Sequence, residues 1–196
     1  DIFRFTMSDK FLNKYRIPSA RMQNWDYGSN AMYFVTICTA NREYYFGEIQ
    51  PQMELSEIGE IANRFWNEIP NHFPFVKLGE FVVMPNHVHG IIIIDKPLNA
   101  TVKTPKLGVS TTTTATNINR QRTINASEKW NPETLGVIIN QYKRMVTINA
   151  RKINAIFKWQ SRFHDHIIRD NAEHQRISGY ITNNPANWKD DKFFAL

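Results

Sequence analysis

The chain has 196 residues, of which 42% are hydrophobic and 13% aromatic, which predicts one domain with a sizeable core. Its formal net charge of +6 favours a polyanionic partner such as nucleic acid, and its single cysteine, Cys38, excludes an intramolecular disulfide and a cysteine-rich zinc site. Uninterrupted apolar runs such as residues 91–94 are far shorter than the roughly 20 residues of a membrane span, and no signal peptide is visible, so we expect a cytoplasmic location.

The first half of the chain predicts an arm, a strand and a helix. Residues 1–30 are polar and basic with scattered aromatic residues and no regular periodicity, which predicts a basic N-terminal arm. Residues 32–40 are rich in β-branched and aromatic side chains, as in a buried strand. Apolar residues then recur at spacings of three and four behind Ser56, which predicts an amphipathic helix that ends near Pro70.

The middle of the chain predicts a hairpin and then an insertion. Two strands are predicted at residues 75–84 and 87–95, and only Pro85 and Asn86 separate them. Because these two residues suit a tight turn, the strands should pair antiparallel. Residues 97–131 then lose all apolar periodicity and contain eight threonines but one acid, which predicts a long flexible insertion.

The last third of the chain completes a recognisable order of elements. A helix is predicted over residues 132–152, a fourth strand over 157–168, and a final helix over 171–184 that Pro185 stops. The order strand, helix, strand, strand, helix, strand predicts an α+β fold, namely a ferredoxin-like βαββαβ sandwich with an added C-terminal helix. Residues 31–196 should therefore form a single domain.

Two His-x-His segments are candidate metal sites. In a strand, residues i and i+2 point to the same face, so the two imidazoles of residues 87–89 can reach one metal ion while Val88 points into the core. Residues 164–166, in the predicted fourth strand, have the same spacing. Two histidines on a solvent-facing strand are the alternative for either pair, so spacing alone leaves these readings open.

Longer segments carry a family resemblance. The segments FVVMPNHVHGIIII and RISGYITNNPANW resemble those of the REP-associated tyrosine transposases, within the HUH class of single-strand DNA transposases. The segments NKYRIPSARMQNWDYGSN and WQSRFHDHIIRD extend the likeness to most of the chain outside residues 97–131. The resemblance implies a catalytic transposase-like domain that cuts and rejoins single-stranded DNA at hairpin-flanked sites through a 5′-phosphotyrosine.

The resemblance also implies roles for individual residues. Tyr180, on the final helix, would be the nucleophile, and His87, His89 and Asn184 would hold Mg²⁺ or Mn²⁺. The spacing of four residues puts Tyr180 and Asn184 on one helical face. From the residues alone, the alternative is that Tyr180 packs in the core and Asn184 caps the helix. Because the resemblance places the metal ligands at residues 87 and 89, His164 and His166 would support the site, contact DNA or have no special role.

A second tyrosine, Tyr142, competes for the role of nucleophile. It falls on the apolar stripe of its predicted helix, and its i+4 neighbour is Val146, which cannot ligate a metal. We therefore predict that Tyr142 packs in the core.

Candidate DNA contacts lie in a stretch without acids. No acidic residue occurs from 134 to 164, and one-signed charge of this kind can neutralise DNA phosphates, although a solvated helix face is the alternative. The candidates in this stretch are Lys143, Arg144, Arg151, Lys152 and Arg162. The resemblance of the motif RIPSAR in the arm adds Arg16 and Arg21.

Two functions from other classes remain as alternatives. One is a hairpin DNA-binding protein without transposition activity, and the other is an RNA-binding module like an RRM. The third predicted strand is aliphatic and lacks the exposed aromatic residues on which an RRM stacks bases. We expect single-stranded or hairpin DNA as the partner, with the protein at the nucleoid when bound, and the active site could be completed within one chain or in a homodimer.

Overall fold

The structure, a computed structural model, describes residues 21–97 and 132–194, together with the backbone pairing of two short strands, β1 (Lys10–Phe11) and β2 (Lys14–Tyr15). The further strands are β3 (Ala31–Cys38), β4 (Gly47–Ile49), β5 (Met53–Leu55), β6 (Val76–Met84), β7 (His87–Ile94) and β8 (His164–Ile168). The helices are α1 (Glu57–Asn67), α2 (Ile69–His72), α3 (Leu135–Ala150) and α4 (Asn171–Asn183). The predicted insertion lies outside the described residues, apart from Pro97. Within the described parts of the chain, no helix is long and apolar enough to cross a membrane.

The main sheet has four strands in the order β6-β7-β3-β8, and every neighbouring pair is antiparallel. Since α1 connects the first of these strands to the second along the chain, and α3 precedes the last, the elements follow the predicted βαββαβ order. The predicted α+β fold is therefore confirmed. The strands β4 and β5 form a separate hairpin in front of α1.

The predicted turn between β6 and β7 fixes the start of the strand that carries the first His-x-His segment. Pro85 and Asn86 form the turn, and Met84 lies opposite His87 in the ladder. The backbone carbonyl of Asn86 accepts hydrogen bonds from the backbone N–H of Thr39 at 2.9 Å and from its hydroxyl at 3.0 Å. These bonds tie the turn to the end of β3.

Each of the three longer helices begins after a side chain that caps it. The oxygens of Ser56, Thr134 and Asp170 each accept a hydrogen bond from a backbone N–H in the first turn. Because Thr134 provides the cap, α3 begins after it rather than at residue 132 as predicted. The helix α1 ends at Asn67, near Pro70 as predicted, and Pro70 itself lies in the first turn of α2, where a proline costs no hydrogen bond.

The two faces of the sheet are covered differently. The helices α1 and α3 cover one face, and their large apolar cluster includes Trp66 and Tyr142, whose ring centroids are 5.2 Å apart in an edge-to-face arrangement. The helix α4 covers part of the other face and contributes to a small cluster formed by Ile91, Ile168, Ile177 and Ile181.

The alternation along β7 assigns its residues to these two faces. Val88 is fully buried in the large cluster, as predicted, and a side chain at Gly90 would collide with the ring of Trp66. His87 and His89 consequently point to the opposite face, under the second half of α4.

The fourth strand is shorter than predicted. Only His164–Ile168 pair with β3, and a single bridge joins Thr39 to Trp159 farther along. Between the pair Thr36–His164 and the bridge Thr39–Trp159, β3 advances by three residues while the other segment advances by five. The two extra residues interrupt the ladder, so the prediction of a continuous strand over 157–168 was wrong.

Candidate metal centre and active site

His87 and His89 lie side by side in the interior of the protein. Their ring centroids are 4.4 Å apart, and both residues are buried. The ring of Phe193 covers the pair, with its centroid 4.6 Å from that of His87. The shared face that the spacing predicts is therefore present.

The hydrogen bonds of His87 define which of its nitrogens is available. Its Nδ1 is 2.8 Å from the Oδ1 of Asn86, whose amide nitrogen in turn donates to the backbone carbonyls of Phe193 and Arg42. Because the amide oxygen can only accept, Nδ1 of His87 must donate, and Nε2 is left with a lone pair. This Nε2 is buried and has no hydrogen-bond partner among the described residues.

Burial keeps both imidazoles neutral near pH 7. It lowers the pKa of His87 well below its usual value, and the neighbouring His89 adds to the shift. Burial likewise lowers the pKa of His89 to about 4, and Nδ1 of His89 lies 2.8 Å from the hydroxyl of Thr36. Neutral imidazoles carry the lone pairs that a metal ion requires.

The phenol of Tyr180 lies at this histidine pair. Its oxygen is 3.2 Å from Nε2 of His89 and donates a hydrogen bond of 3.2 Å to Oδ2 of Asp191. The residue is 41% exposed, so the phenol is accessible from solvent. Burial of part of the side chain, followed by the Asp191 carboxylate, raises the pKa of Tyr180 to about 12.

Asn184 follows the last residue of α4 and also faces the site. Its Nδ2 donates to Oδ2 of Asp191 at 2.9 Å, whereas its Oδ1 is buried without a hydrogen-bond partner among the described residues. The spacing of four residues thus brings Tyr180 and Asn184 to one carboxylate. Tyr142, by contrast, is buried in the large cluster and donates to the backbone carbonyl of Ala62 at 3.2 Å, in agreement with the predicted packing role.

Asp191 is a site residue that sequence reasoning missed. A 3-10 helix, Trp188–Asp190, follows α4 and brings the carboxylate back to the histidines. One ligand atom from each of His87, His89 and Asp191 lies within 4.8 Å of the others, so these three side chains could hold a metal ion. Nothing in the sequence distinguishes Asp191 from its neighbour Asp190.

The second His-x-His segment lies on the same face of the sheet but at its edge. His164 and His166 are exposed on β8, and Nε2 of His166 is 2.7 Å from a carboxylate oxygen of Glu173. Across the described parts of the chain, these histidines join no group of three potential metal ligands. The buried pair on β7 is therefore the better-formed candidate metal site.

The predicted DNA contacts do not converge on Tyr180. Arg16 lies outside the described residues. Arg21 forms an ion pair of 3.5 Å with Asp165 and lies over the rings of Tyr27 and Phe163. The others lie on or after α3, which covers the opposite face from α4: Lys143, Arg144, Arg151, Lys152 and Arg162.

Three of these basic residues are engaged within the protein. Lys143 donates from its ammonium to the backbone carbonyl of Gln160 at 2.6 Å, and burial lowers its pKa. Arg151 donates to the carbonyl of Phe157 at 3.1 Å, and Lys152 donates to the side chain of Asn149. Arg144 and Arg162 are exposed.

Comparisons with known proteins give one close relative and a shared fold. No family model matches the chain. An uncharacterised protein of Haemophilus influenzae is 36% identical over 179 residues, which are 90% of this chain and 92% of that protein. A structure of a REP-associated tyrosine transposase bound to a REP hairpin has a TM-score of 0.54 at 15% identity, covering 88% of this chain and 76% of that one. The match to a candidate transposase of Deinococcus radiodurans covers 83% of this chain and 95% of that one, at 12% identity. Its TM-score of 0.43 is too low to support an inference.

Proposed function

We propose that this chain, which belongs to the same protein family as the Haemophilus influenzae relative and has the fold of the REP-associated tyrosine transposase, is itself a strand transferase for DNA. In this proposal it cuts and rejoins single-stranded DNA beside a hairpin. Tyr180 is the nucleophile, and the products are a free 3′-hydroxyl and a 5′-phosphate bound to the enzyme.

The proposal rests on the incomplete polar cluster around Tyr180. The phenol touches His89 and Asp191, while two buried acceptor atoms nearby, Nε2 of His87 and Oδ1 of Asn184, have no hydrogen-bond partner among the described residues. An unpaired buried acceptor costs free energy, so such atoms call for a ligand. Metal-assisted phosphoryl transfer requires a nucleophile beside nitrogen and oxygen atoms whose lone pairs are free to bind a cation.

The donor set suits a divalent cation such as Mg²⁺ or Mn²⁺. His87, His89 and Asn184 would hold it, as the family resemblance implies, and Asp191 offers a carboxylate oxygen in the same group. A cation bound there would act as a Lewis acid on the scissile phosphate and would stabilise the phenolate of Tyr180. Imidazole, carboxamide and carboxylate ligands are compatible with Mn²⁺ in particular.

The side chains of this protein prepare the attack. Asp191 accepts the hydrogen bond of the phenol and so orients the oxygen of Tyr180, while Asn184 holds the same carboxylate in place. In the forward step the bond from the tyrosine oxygen to phosphorus forms and the bond from phosphorus to the 3′-oxygen breaks. The phenol loses its proton, and the departing 3′-oxygen gains one.

The reverse step rejoins DNA without ATP. A second 3′-hydroxyl attacks the phosphotyrosine, forms a new phosphodiester and returns Tyr180 to its phenol form. One phosphate ester bond replaces another in each step, so no external energy source is needed. This reversibility distinguishes strand transfer from simple hydrolysis.

A covalent adduct assay tests the proposal. Labelled single-stranded hairpin oligonucleotides are incubated with the protein and Mn²⁺, and the products are separated on a denaturing gel. We expect an adduct with the wild type and with Tyr142→Phe, and none with Tyr180→Phe or after addition of a chelator. Tyr142→Phe is the matched control, since it removes a hydroxyl that lies in the core.

Other outcomes of this assay would contradict the proposal. An undiminished adduct with Tyr180→Phe would assign the nucleophile to another residue. Tight hairpin binding without any adduct or metal-dependent nicking would favour a binding protein without transposition activity. An RRM-like function is disfavoured because α4 covers part of the sheet face on which such modules stack bases.

A further inference from the structure

We propose that the outer strand β8 forms a nucleotide-binding subsite next to Tyr180, in which His164 and His166 bind, and Phe34 stacks on, a nucleotide adjoining the phosphate that Tyr180 attacks. The class of ligand, single-stranded DNA, rests on the proposed function. The subsite itself is inferred from the register of the sheet and from an open cleft on the α4 face.

The register of the sheet aligns the second histidine segment with the first. Thr36 of β3 lies opposite His89 on one side and opposite His164 on the other. The next row on this face runs from Ile91 through Phe34 to His166. Because neighbouring strands are about 4.8 Å apart, His164 lies about 10 Å from His89, on the same face.

A cleft of about 490 Å³ joins the two histidine segments. Its walls include both histidines of β8, His89 and Tyr180, together with Arg176 and Lys192. The partly buried ring of Phe34 lies in this cleft, 5.2 Å from the ring of His89 and 6.2 Å from that of Tyr180. An extended strand that delivers a phosphate to Tyr180 could therefore continue toward β8.

The chemistry of the cleft changes along its length. Asp190 and Asp191 lie at the Tyr180 end, where the cation would bind. The β8 end instead presents imidazoles and an aromatic ring, and every imidazole carries at least one N–H donor whether it is charged or neutral. Proteins hold single-stranded nucleic acid without reading its sequence by stacking bases on aromatic faces and by donating hydrogen bonds to the phosphates.

Glu173 orients one of the two imidazoles. The backbone N–H of Arg169 and then His166 lower the pKa of the Glu173 carboxyl, so this group is an acceptor. His166 must then donate to it through Nε2, so in the neutral imidazole Nδ1 is left as an acceptor for a base N–H, and only the charged imidazole also donates to a phosphate. Glu173 also lies 3.5 Å from Arg176, so one carboxylate holds two side chains of the cleft.

The subsite is tested by fluorescence anisotropy with a short, fluorescein-labelled oligothymidylate. We compare the wild type with the double variant His164→Ala/His166→Ala and with the control His72→Ala, which removes an exposed histidine of α2 beside α3. We expect the double variant to bind about tenfold more weakly, because about 1.4 kcal/mol of hydrogen bonding to the nucleotide is lost. The control should bind like the wild type.

A second variant tests the stacking on Phe34 separately. Phe34→Leu keeps an apolar side chain against α4 but removes the aromatic face, and we expect it to weaken binding by about tenfold as well. Thermal unfolding of every variant reports whether the fold is retained. The proposal is overturned if folded variants bind oligothymidylate as tightly as the wild type, or if the wild type does not bind it.

The binding assay and the adduct assay fail independently. Binding to oligothymidylate does not require Tyr180 to react, so a histidine-dependent affinity without any adduct would support the subsite and contradict strand transfer. An adduct with unchanged affinity in the double variant would support strand transfer and overturn the subsite. A purely structural role of the β8 histidines would alter unfolding but not affinity, and this outcome also overturns the subsite.

Discussion

The two faces of the main sheet are built from alternate residues of the same strands, yet they bury different chemistry. On the face under α1 and α3, β7 contributes Val88 and Ile92 to the apolar cluster around Trp66. On the α4 face, the same strand contributes His87 and His89. Since a buried polar group costs free energy unless it is paired, the first face stabilises the fold and the second carries a cost.

The unpaired buried atoms of the two faces differ in whether they can bind a cation. Each face has buried polar atoms without a hydrogen-bond partner among the described residues: Nε1 of Trp66 on one, and Nε2 of His87 with Oδ1 of Asn184 on the other. An indole N–H has no lone pair and cannot ligate a cation, whereas the other two atoms can. The difference between the faces is therefore one of ligand chemistry and not only of polarity.

Removing the central side chain of the apolar face should have the largest effect on stability. Trp66→Ala empties a fully buried position, and we expect it to lower the free energy of unfolding by about 3–5 kcal/mol. Urea denaturation measures this loss. The matched control is Ile148→Ala on the exposed side of α3, where a change within about 0.5 kcal/mol is expected. A loss below about 1 kcal/mol for Trp66→Ala would contradict the assignment of stability to this face.

Adding a cation should stabilise the protein through the other face. At a free Mn²⁺ concentration of about 100 times Kd, we expect the free energy of unfolding to rise by about 2.7 kcal/mol. The variant His87→Ala should lose this gain, while His164→Ala should keep it, because only the pair on β7 is joined by a third ligand group among the described residues. Differential scanning calorimetry with and without Mn²⁺ makes the comparison. The opposite result for the two variants would transfer the metal site to β8.

The sequence could predict the parts of this comparison that depend on local spacing. The period of two along β7 predicts the shared face of His87 and His89, and the Pro85–Asn86 turn predicts their position at the start of a strand. The period of a helix predicts that Tyr180 and Asn184 share a face. The roles of these residues in catalysis and metal binding remain predictions that the adduct assay and Mn²⁺ titration test.

The remaining features depend on contacts between distant segments. Asp191 reaches the site because the chain turns back after α4, and a hydrogen bond from Asn86 to the carbonyl of Phe193, 107 residues away, holds that return. The early end of the β8 ladder depends on two extra residues opposite β3. Arg21 looked like a free DNA contact, but Asp165 on β8 pairs with it. No local sequence pattern encodes any of these three features.

Two glycines offer the finest test of the contrast between the faces. A Cβ at Gly90 would lie 2.3 Å from Cζ2 of Trp66 and 2.9 Å from Cβ of Phe81, so Gly90→Ala should lower the free energy of unfolding by about 1–3 kcal/mol. A Cβ at Gly179, in α4, would meet no described heavy atom within 4 Å, and Gly179→Ala should raise it by roughly 0.5–1 kcal/mol through helix propensity. Urea denaturation of the two variants should therefore give opposite signs. If both substitutions destabilise equally, α4 is packed as tightly as the helices of the other face, and the contrast between the faces fails.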